Sequence, residues 1–136
     1  MKKPARSLPD TNTVVRYLVN DNPALYVKAK EFFDTVKDGG LKAVILESVV
    51  AECVYVLTKI YRVPRKRVAG SLIDILHYKG IANVDQQELI RALSLFSEHG
   101  LDIVDCILYA RAAVAGDHLF TFDADLSKRW GSRREG

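Results

Sequence analysis

Carboxylates interrupt apolar segments at four places in this chain. Glu52 lies within VVAECVYVL, Asp105 within IVDCILYA and Asp123 directly after HLFTF, and Asp10 opens the first apolar run, LPDTNTVVRYL. Removing an ionised carboxylate from water without a partner costs on the order of several kcal/mol. One such residue could be an accident of packing, but four indicate a shared solution, of which a bound cation is the simplest.

Short apolar runs alternate with helical patterns along the chain. The runs at 42–46, 81–84 and 118–122 predict buried strands, and a very short one precedes Asp10. This alternation predicts a parallel sheet with helices on both faces. Helices are predicted over 12–19, from 22 to the stop at 39–40, over 48–61, 64–79, 86–99 and 102–115, and over about 124–130.

The predicted topology brings the four acids to one edge of the sheet. In parallel sheets, functional sites form beyond the carboxyl ends of the strands. Asp10 and Asp123 follow predicted strands, and Glu52 and Asp105 lie in early turns of predicted helices. We therefore expect all four side chains to converge there.

Three of these acids also have an ordinary structural interpretation. Asp10 belongs to DTN, whose residue types are common in turns and helix caps. Glu52 could lie at a helix margin or pair with an arginine, and the same holds for Asp105. Glu52 and Asp105 are each the only charged residue in their apolar stretch, which keeps a functional role open for both.

Neighbouring polar residues are secondary candidates. Asp102 shares a helix face with Asp105 but is also well placed as an N-cap. Of the pair in DAD, we favour Asp123 for chemistry and Asp125 for capping. Asn12 and Thr121 could orient carboxylates or bind a metal-bound water.

Other charged residues have weaker functional signals. Glu47 and Asp85 also follow predicted strands, and we interpret both as structural or peripheral. The basic run at 62–67 is a solvated helix start or, less favoured, an RNA contact. Arg16, Lys59 or Arg111 could steer a phosphate or neutralise the acids.

Composition favours one soluble, globular domain. The chain has 136 residues, 49% of them hydrophobic and 27% charged, with a mild net charge of +3. Cys53 and Cys106 lie in apolar patterns outside any Cys/His cluster, which favours buried thiols in a reducing cytoplasm over a zinc site. We find no apolar signal core or membrane-spanning stretch, and expect residues 1–7 and 131–136 to be mobile.

Taken together, these segments resemble the PIN domain family, especially the small VapC-like ribonuclease toxins of bacterial and archaeal toxin–antitoxin pairs. LPDTNTVVRYL resembles the family's opening segment, ESVVAECVYVL its second motif, GLDIVDCILYARA its third and FTFDADL its fourth. The resemblance runs from about Leu8 to Trp130. Four motifs in the family's order are a much stronger signal than any one of them.

The resemblance implies a three-layer α/β/α sandwich with a four- to five-stranded parallel sheet. It implies that Mg²⁺ or Mn²⁺ is held by the acids and that RNA is cleaved endonucleolytically, with a cognate antitoxin and a homodimer as possible partners. Two departures are Pro9, where a strand residue is usual, and a brief C-terminus that leaves the fifth strand open. The matching acids are Asp10, Glu52, Asp105 and Asp123, with Asn12 and Thr121 as supporting residues.

Metal-assisted hydrolysis would suit this set of side chains. Carboxylate oxygens favour hard cations, and such an ion polarises a phosphodiester oxygen and lowers the pKa of a bound water. No histidine pairs with a serine or cysteine in a nucleophile motif. Two alternatives are a non-catalytic domain that binds RNA or protein and a receiver-type signalling domain, which ranks last because no lysine follows HLFTF before Asp123.

Overall fold

Within residues 5–123, which the computed structural model describes, the chain is a succession of helices with short connections. None of these helices combines the length and the apolar character that crossing a membrane requires. The predicted helix over 48–61 begins one residue earlier and changes to π-helical hydrogen bonding partway along. The helices are α1 (Thr11–Val19), α2 (Pro23–Asp38), α3 (Glu47–Tyr55) with its π-helical continuation (Val56–Ile60), α4 (Arg65–Leu76), α5 (Gln86–Glu98) and α6 (Ile103–Ala115).

Capping residues in the sequence explain several helix ends. Asp10 and Asn22 are N-caps whose side chains accept hydrogen bonds from the backbone of the first turn. Gly39 (φ 88°) and Gly116 (φ 75°) end α2 and α6 in the left-handed conformation that glycine adopts without a steric penalty. The predicted boundaries at Asn22, Gly39 and Gly116 are confirmed, whereas α1 begins one residue before the predicted start at Asn12.

The predicted four- to five-stranded parallel sheet is wrong for residues 5–123, because none of them forms an assigned strand. The pairing is reduced to two isolated parallel bridges, Ser7 with Ala43 and Ala43 with Ile81. Residues 118–122, predicted as a strand, are irregular. The predicted helix over 124–130 and the tail at 131–136 lie outside the described residues, as do residues 1–4.

Proline ends the first pairing. Ser7 N donates to Lys42 O at 2.9 Å, and Val44 N donates to Ser7 O at 3.0 Å. The next donor in a parallel ladder would be the nitrogen of Pro9, which carries no hydrogen. The bridge therefore cannot lengthen into a strand pair in this direction.

A side-chain amide ends the second pairing. Ala43 N donates to Gly80 O at 2.9 Å and Ala82 N donates to Ala43 O at 2.8 Å. The next bonds go to the side chain of Asn83, whose Oδ1 accepts from Ile45 N at 2.9 Å and whose Nδ2 donates to Ile45 O at 2.7 Å. The amide thus takes the place of the next backbone pair.

Close backbone packing at Gly80 holds the bridged segments against α2. Gly80 N donates to Val36 O at 2.8 Å. A Cβ atom at this position would lie 2.7 Å from Val36 O and still closer to Leu41 O. Since neither contact partner is a flexible side chain, only glycine fits here.

Helix α3 joins the two halves of the hydrophobic core. It contacts α1, which packs on α2, and it also contacts α4 and α6, which both pack on α5. Both cysteines are buried thiols in this core, as predicted. The core includes Val14 of α1, Phe33 of α2, Val50 of α3, Leu72 of α4, Leu89 of α5 and Cys106 of α6.

Arg65, from the basic run, has a structural role. Its guanidinium lies over the Phe96 ring at 3.5 Å from the centroid and donates to the carbonyl oxygens of Phe96, His99 and Leu101. These bonds satisfy the carboxyl end of α5 and fix the turn that leads into α6. The turn ends at Asp102, so Arg65 also helps to position the helix that carries Asp105.

Candidate functional site

Asp10 is both a helix cap and an exposed carboxylate. Its Oδ1 accepts from Thr13 N at 2.9 Å and from Thr13 Oγ1 at 2.7 Å. These two hydrogen bonds hold the pKa of Asp10 below its ordinary value. The side chain is therefore ionised at neutral pH, and its Oδ2 makes no hydrogen bond with residues 5–123.

Thr11 connects Asp10 to Glu52. Glu52 lies exposed on α3 and accepts a hydrogen bond from Thr11 Oγ1. Burial, followed by the negative charges of Glu52 and Asp10, raises the pKa of Cys53 to about 12. The hydrogen bond from Thr11, the residue that follows Asp10, places Glu52 at the start of α1.

Asp105 lies near two further acids. It is half-buried on α6, and its pKa is raised above the ordinary value by desolvation and then by the negative charges of Asp102 and Asp123. Asp102 is the N-cap of α6 and accepts from Ile103 N at 3.2 Å. Ionised Asp105 therefore lies in a repulsive environment that a cation would relieve.

The supporting residues have distinct positions. Asn12 is exposed in the first turn of α1. Thr121 accepts a hydrogen bond on Oγ1 from Asp123 N at 3.0 Å, so it orders the backbone that carries this acid. Thr11 and Thr13 were missed as supporting residues in the sequence, although their position beside Asp10 was a usable signal.

The structure therefore places the candidate acids in two groups. Asp10 and Glu52 are connected through Thr11, and Asp105 lies within electrostatic range of Asp102 and Asp123. Helix α3 contacts both α1 and α6, which connects the elements that carry the two groups. Within residues 5–123, no three His, Cys, Asp or Glu side chains form a group that could hold a metal ion.

The arginines that could have neutralised these acids bind other carboxylates. Arg111 pairs with Glu47, with Asp85 at 3.4 Å and with Glu88 at 3.9 Å. Arg16 pairs with Asp21 at 2.6 Å. Across the described part of the chain, Asp10, Glu52 and Asp105 form no ion pair, so their negative charge is left for another cation. Their oxygen-only donor set fits a hard divalent ion.

A comparison with protein families supplies an independent finding. The family model described as PIN domain matches residues 7–129. This range includes all four acid-containing segments and nearly the whole chain. Searches of curated proteins and of solved structures returned no match.

Proposed function

Because this chain belongs to the PIN domain family, whose members are generally nucleases, we propose that it is a metal-dependent endoribonuclease that hydrolyses RNA phosphodiester bonds. We further propose that it is the VapC-like toxin of a toxin–antitoxin pair and acts in the cytoplasm. The observation that carries the proposal is the set of carboxylates at Asp10, Glu52 and Asp105, which form no ion pair within residues 5–123.

The donor set favours Mg²⁺ or Mn²⁺ as the cofactor. PIN domain nucleases generally use divalent metal ions, and the candidate acids offer only oxygen ligands. Asp10, Glu52, Asp105 and Asp123 would hold the ion. When bound, it would polarise a phosphodiester oxygen and lower the pKa of a water molecule.

The protein's own side chains prepare this site. Thr13 holds Asp10 ionised and fixes its orientation, while Thr11 orients Glu52. The second oxygens of these two carboxylates make no hydrogen bond within the described residues and are open to a ligand. The pKa of Asp105 is raised by burial and then by the negative charges of Asp102 and Asp123, and these charges favour a cation.

An RNA cleavage assay tests the proposed activity. The wild-type protein should cut a labelled single-stranded RNA in Mg²⁺ or Mn²⁺ and stop in excess EDTA, and it should leave a DNA of the same sequence intact. Asp10→Asn should be inactive yet folded, because asparagine is as good an N-cap as aspartate. Full metal-dependent activity in this variant would refute the proposal.

Induced expression in cells tests the toxin role separately. The wild-type protein should arrest growth and Asp10→Asn should not, while a co-expressed antitoxin from the neighbouring gene should restore growth. Exposed Val104 and Leu108, one turn apart on α6, offer an apolar surface for this antitoxin or for a homodimer. Equal growth of the strains that express the wild type and Asp10→Asn would contradict the toxin role.

One observation favours a second candidate, a non-catalytic PIN-like domain that binds RNA or protein. No three potential ligands converge within residues 5–123. Under this interpretation Asp10 and Asp102 are helix caps and nothing more. RNA binding without cleavage in any divalent metal would favour it over the nuclease.

A further inference from the structure

A groove of about 380 Å³ lies between α1, α2 and the segment that precedes α1. Its apolar wall is formed mainly by Leu8, Leu25 and Phe32, and Thr13, Arg16 and Lys28 supply polar atoms. Its volume falls within the roughly 300–1,000 Å³ range of small-ligand sites and is sufficient for a nucleotide unit.

The groove begins next to a candidate catalytic acid. Thr13 lines the groove, and its Oγ1 donates to Asp10 Oδ1 at 2.7 Å. Pro9 and Asn12, on either side of Asp10 in the chain, also line it. A polymer bound in the groove would therefore lead directly to the carboxylate.

The charge of the groove suits a polyanion. Lys28 is exposed on α2 and forms no ion pair with residues 5–123, and Arg16 supplies a second positive charge, held by Asp21. Among the described residues, none that lines the groove is acidic. Lys28, which has no carboxylate partner within residues 5–123, favours contact with a phosphate group, and Arg16 adds positive charge that Asp21 partly offsets.

The apolar wall suits an unstacked base. Leu8 is 61% exposed and Leu25 is 38% exposed, and Phe32 lies half-buried behind them. Single-stranded nucleic acids bind where apolar or aromatic side chains receive bases and cations follow the phosphates. Both features occur within this groove.

We propose that the groove binds the single-stranded RNA substrate beside the scissile phosphate. Lys28 and Arg16 contact backbone phosphates, and Leu8 and Leu25 pack against a base. This inference rests on the proposed function, because it assigns a strand to the site where the acids cut. It adds a binding surface, and residues outside the four candidate acids, to that function.

Matched substitutions on α2 test the phosphate contact. Binding of a fluorescein-labelled oligouridylate to the full chain is measured by anisotropy in EDTA, which prevents metal-dependent cleavage. Lys28→Ala should weaken binding by roughly five- to tenfold and reduce the salt dependence of log K by about 0.7. Lys30→Ala removes a lysine charge two residues away, outside the groove, where Lys30 pairs with Asp34 at 2.6 Å, and should remain within about twofold of wild type.

A second pair tests the apolar wall. Leu25→Ser should weaken oligouridylate binding by roughly threefold without changing the salt dependence, because no charge is lost. Val27→Ser is the matched control, since Val27 is 53% exposed on the same helix but does not line the groove. Circular dichroism serves as the folding control, and all four variants should keep the wild-type helix content.

The possible outcomes separate the groove from the nuclease activity. The proposal that the groove binds RNA would be overturned if Lys28→Ala and Lys30→Ala weakened oligouridylate binding equally, or if the wild type did not bind oligouridylate. This holds even if RNA is cleaved in Mg²⁺. Oligouridylate binding that depends on the groove residues, without RNA cleavage in divalent metal, would support the groove as an RNA-binding surface and overturn the proposed nuclease activity. Unchanged RNA binding with weakened self-association in size-exclusion chromatography would assign the groove to a second copy of the chain and overturn the RNA proposal.

Discussion

Two groups of carboxylates in this protein differ in whether an arginine neutralises them. Glu47, Asp85 and Glu88 surround Arg111, and we call these four residues the Arg111 cluster. Asp10, Glu52 and Asp105 form no ion pair with Arg111 or with any other residue in the described range 5–123. Both groups draw on the same helices, because α3 carries Glu47 and Glu52, and α6 carries Asp105 and Arg111.

The environments of the two groups have opposite energetic consequences. The hydrogen bond from Arg111 to Glu47, with the other nearby acids, raises the pKa of Arg111, which means that its charged form is stabilised by folding. The pKa of Asp105 is also raised, but here burial and like charges disfavour the charged form. The Arg111 cluster therefore ties three helices together, whereas folding disfavours the ionised form of Asp105.

The largest expected effect is on catalysis. Asp105→Asn should reduce RNA cleavage by roughly a hundredfold or more, the scale typical of losing a group that stabilises transition-state charge. Asp85→Asn makes the same chemical change in the Arg111 cluster and should stay within about threefold of wild type. Initial cleavage rates at saturating Mg²⁺ measure both. Equal losses would remove the distinction between the two groups.

A smaller effect is expected on stability when Arg111 is removed. Arg111→Met should lower the free energy of unfolding by roughly 1 kcal/mol, because its half-exposed partners then repel one another. Urea denaturation measures the change. Arg91→Met is the control, since Arg91 is half-exposed on α5 and forms no ion pair with residues 5–123. If the control loses as much, the Arg111 cluster has no special role.

The smallest effect is a gain of stability at the site. Asp105→Asn should raise the melting temperature by roughly 1–3 °C at neutral pH without metal, because it removes a disfavoured charge. The gain should vanish below the ordinary aspartate pKa of about 3.9, where both states of wild-type Asp105 are protonated. It should grow as pH rises through the raised folded-state pKa. A wild-type protein that melts higher than the variant without metal would contradict this assignment.

The pH dependence of Asp10 has the opposite sign. Its folded-state pKa is lowered by the bonds from Thr13, so its stabilising contribution is present above the unfolded pKa and is lost as pH falls through the folded pKa. Thr13→Val removes the hydroxyl bond and should lower stability at neutral and alkaline pH, where Asp10 is ionised, while changing it little in acid, where Asp10 is protonated in both states. Melting curves from acid to alkaline pH check this expectation, and a variant that melts like wild type at neutral pH, or that loses stability only in acid, would refute it.

Local signals predicted the helices well. Asn22-Pro23 and Gly39 bound α2, and Gly116 ends α6, because caps depend on side chains within one turn of the helix end. The same local patterns placed Glu52 on α3 and Asp105 on α6. Short-range information was sufficient for these elements.

The sheet could not be predicted from the same signals. The apolar run at 42–46 is buried at Ala43 and Ile45 as its pattern indicates, but burial does not require an extended ladder. Pro9 was visible in the sequence as an obstacle, whereas the amide of Asn83 bonds to Ile45, 38 residues earlier in the chain. Only the tertiary fold brings that side chain to that backbone.

The hydrogen-bond and ion-pair partners of the acidic residues could not be predicted either, because they too lie far away in the sequence. Thr11 lies 41 positions from Glu52, and Arg111 lies 64 positions from Glu47. The sequence identified Arg111 as a possible neutraliser of acids but not which acids it would bind. Charge type is readable from sequence, and charge pairing is a property of the fold.

Calorimetric titration with Mn²⁺ tests the central claim most directly, namely that Asp10, Glu52 and Asp105, which form no ion pair within residues 5–123, await a cation. Wild type and Asp85→Asn should bind Mn²⁺ with equal affinity, while Glu52→Gln and Asp105→Asn should lose roughly tenfold or more. Absence of binding by wild type at millimolar Mn²⁺, or an equal loss in Asp85→Asn, would contradict the account.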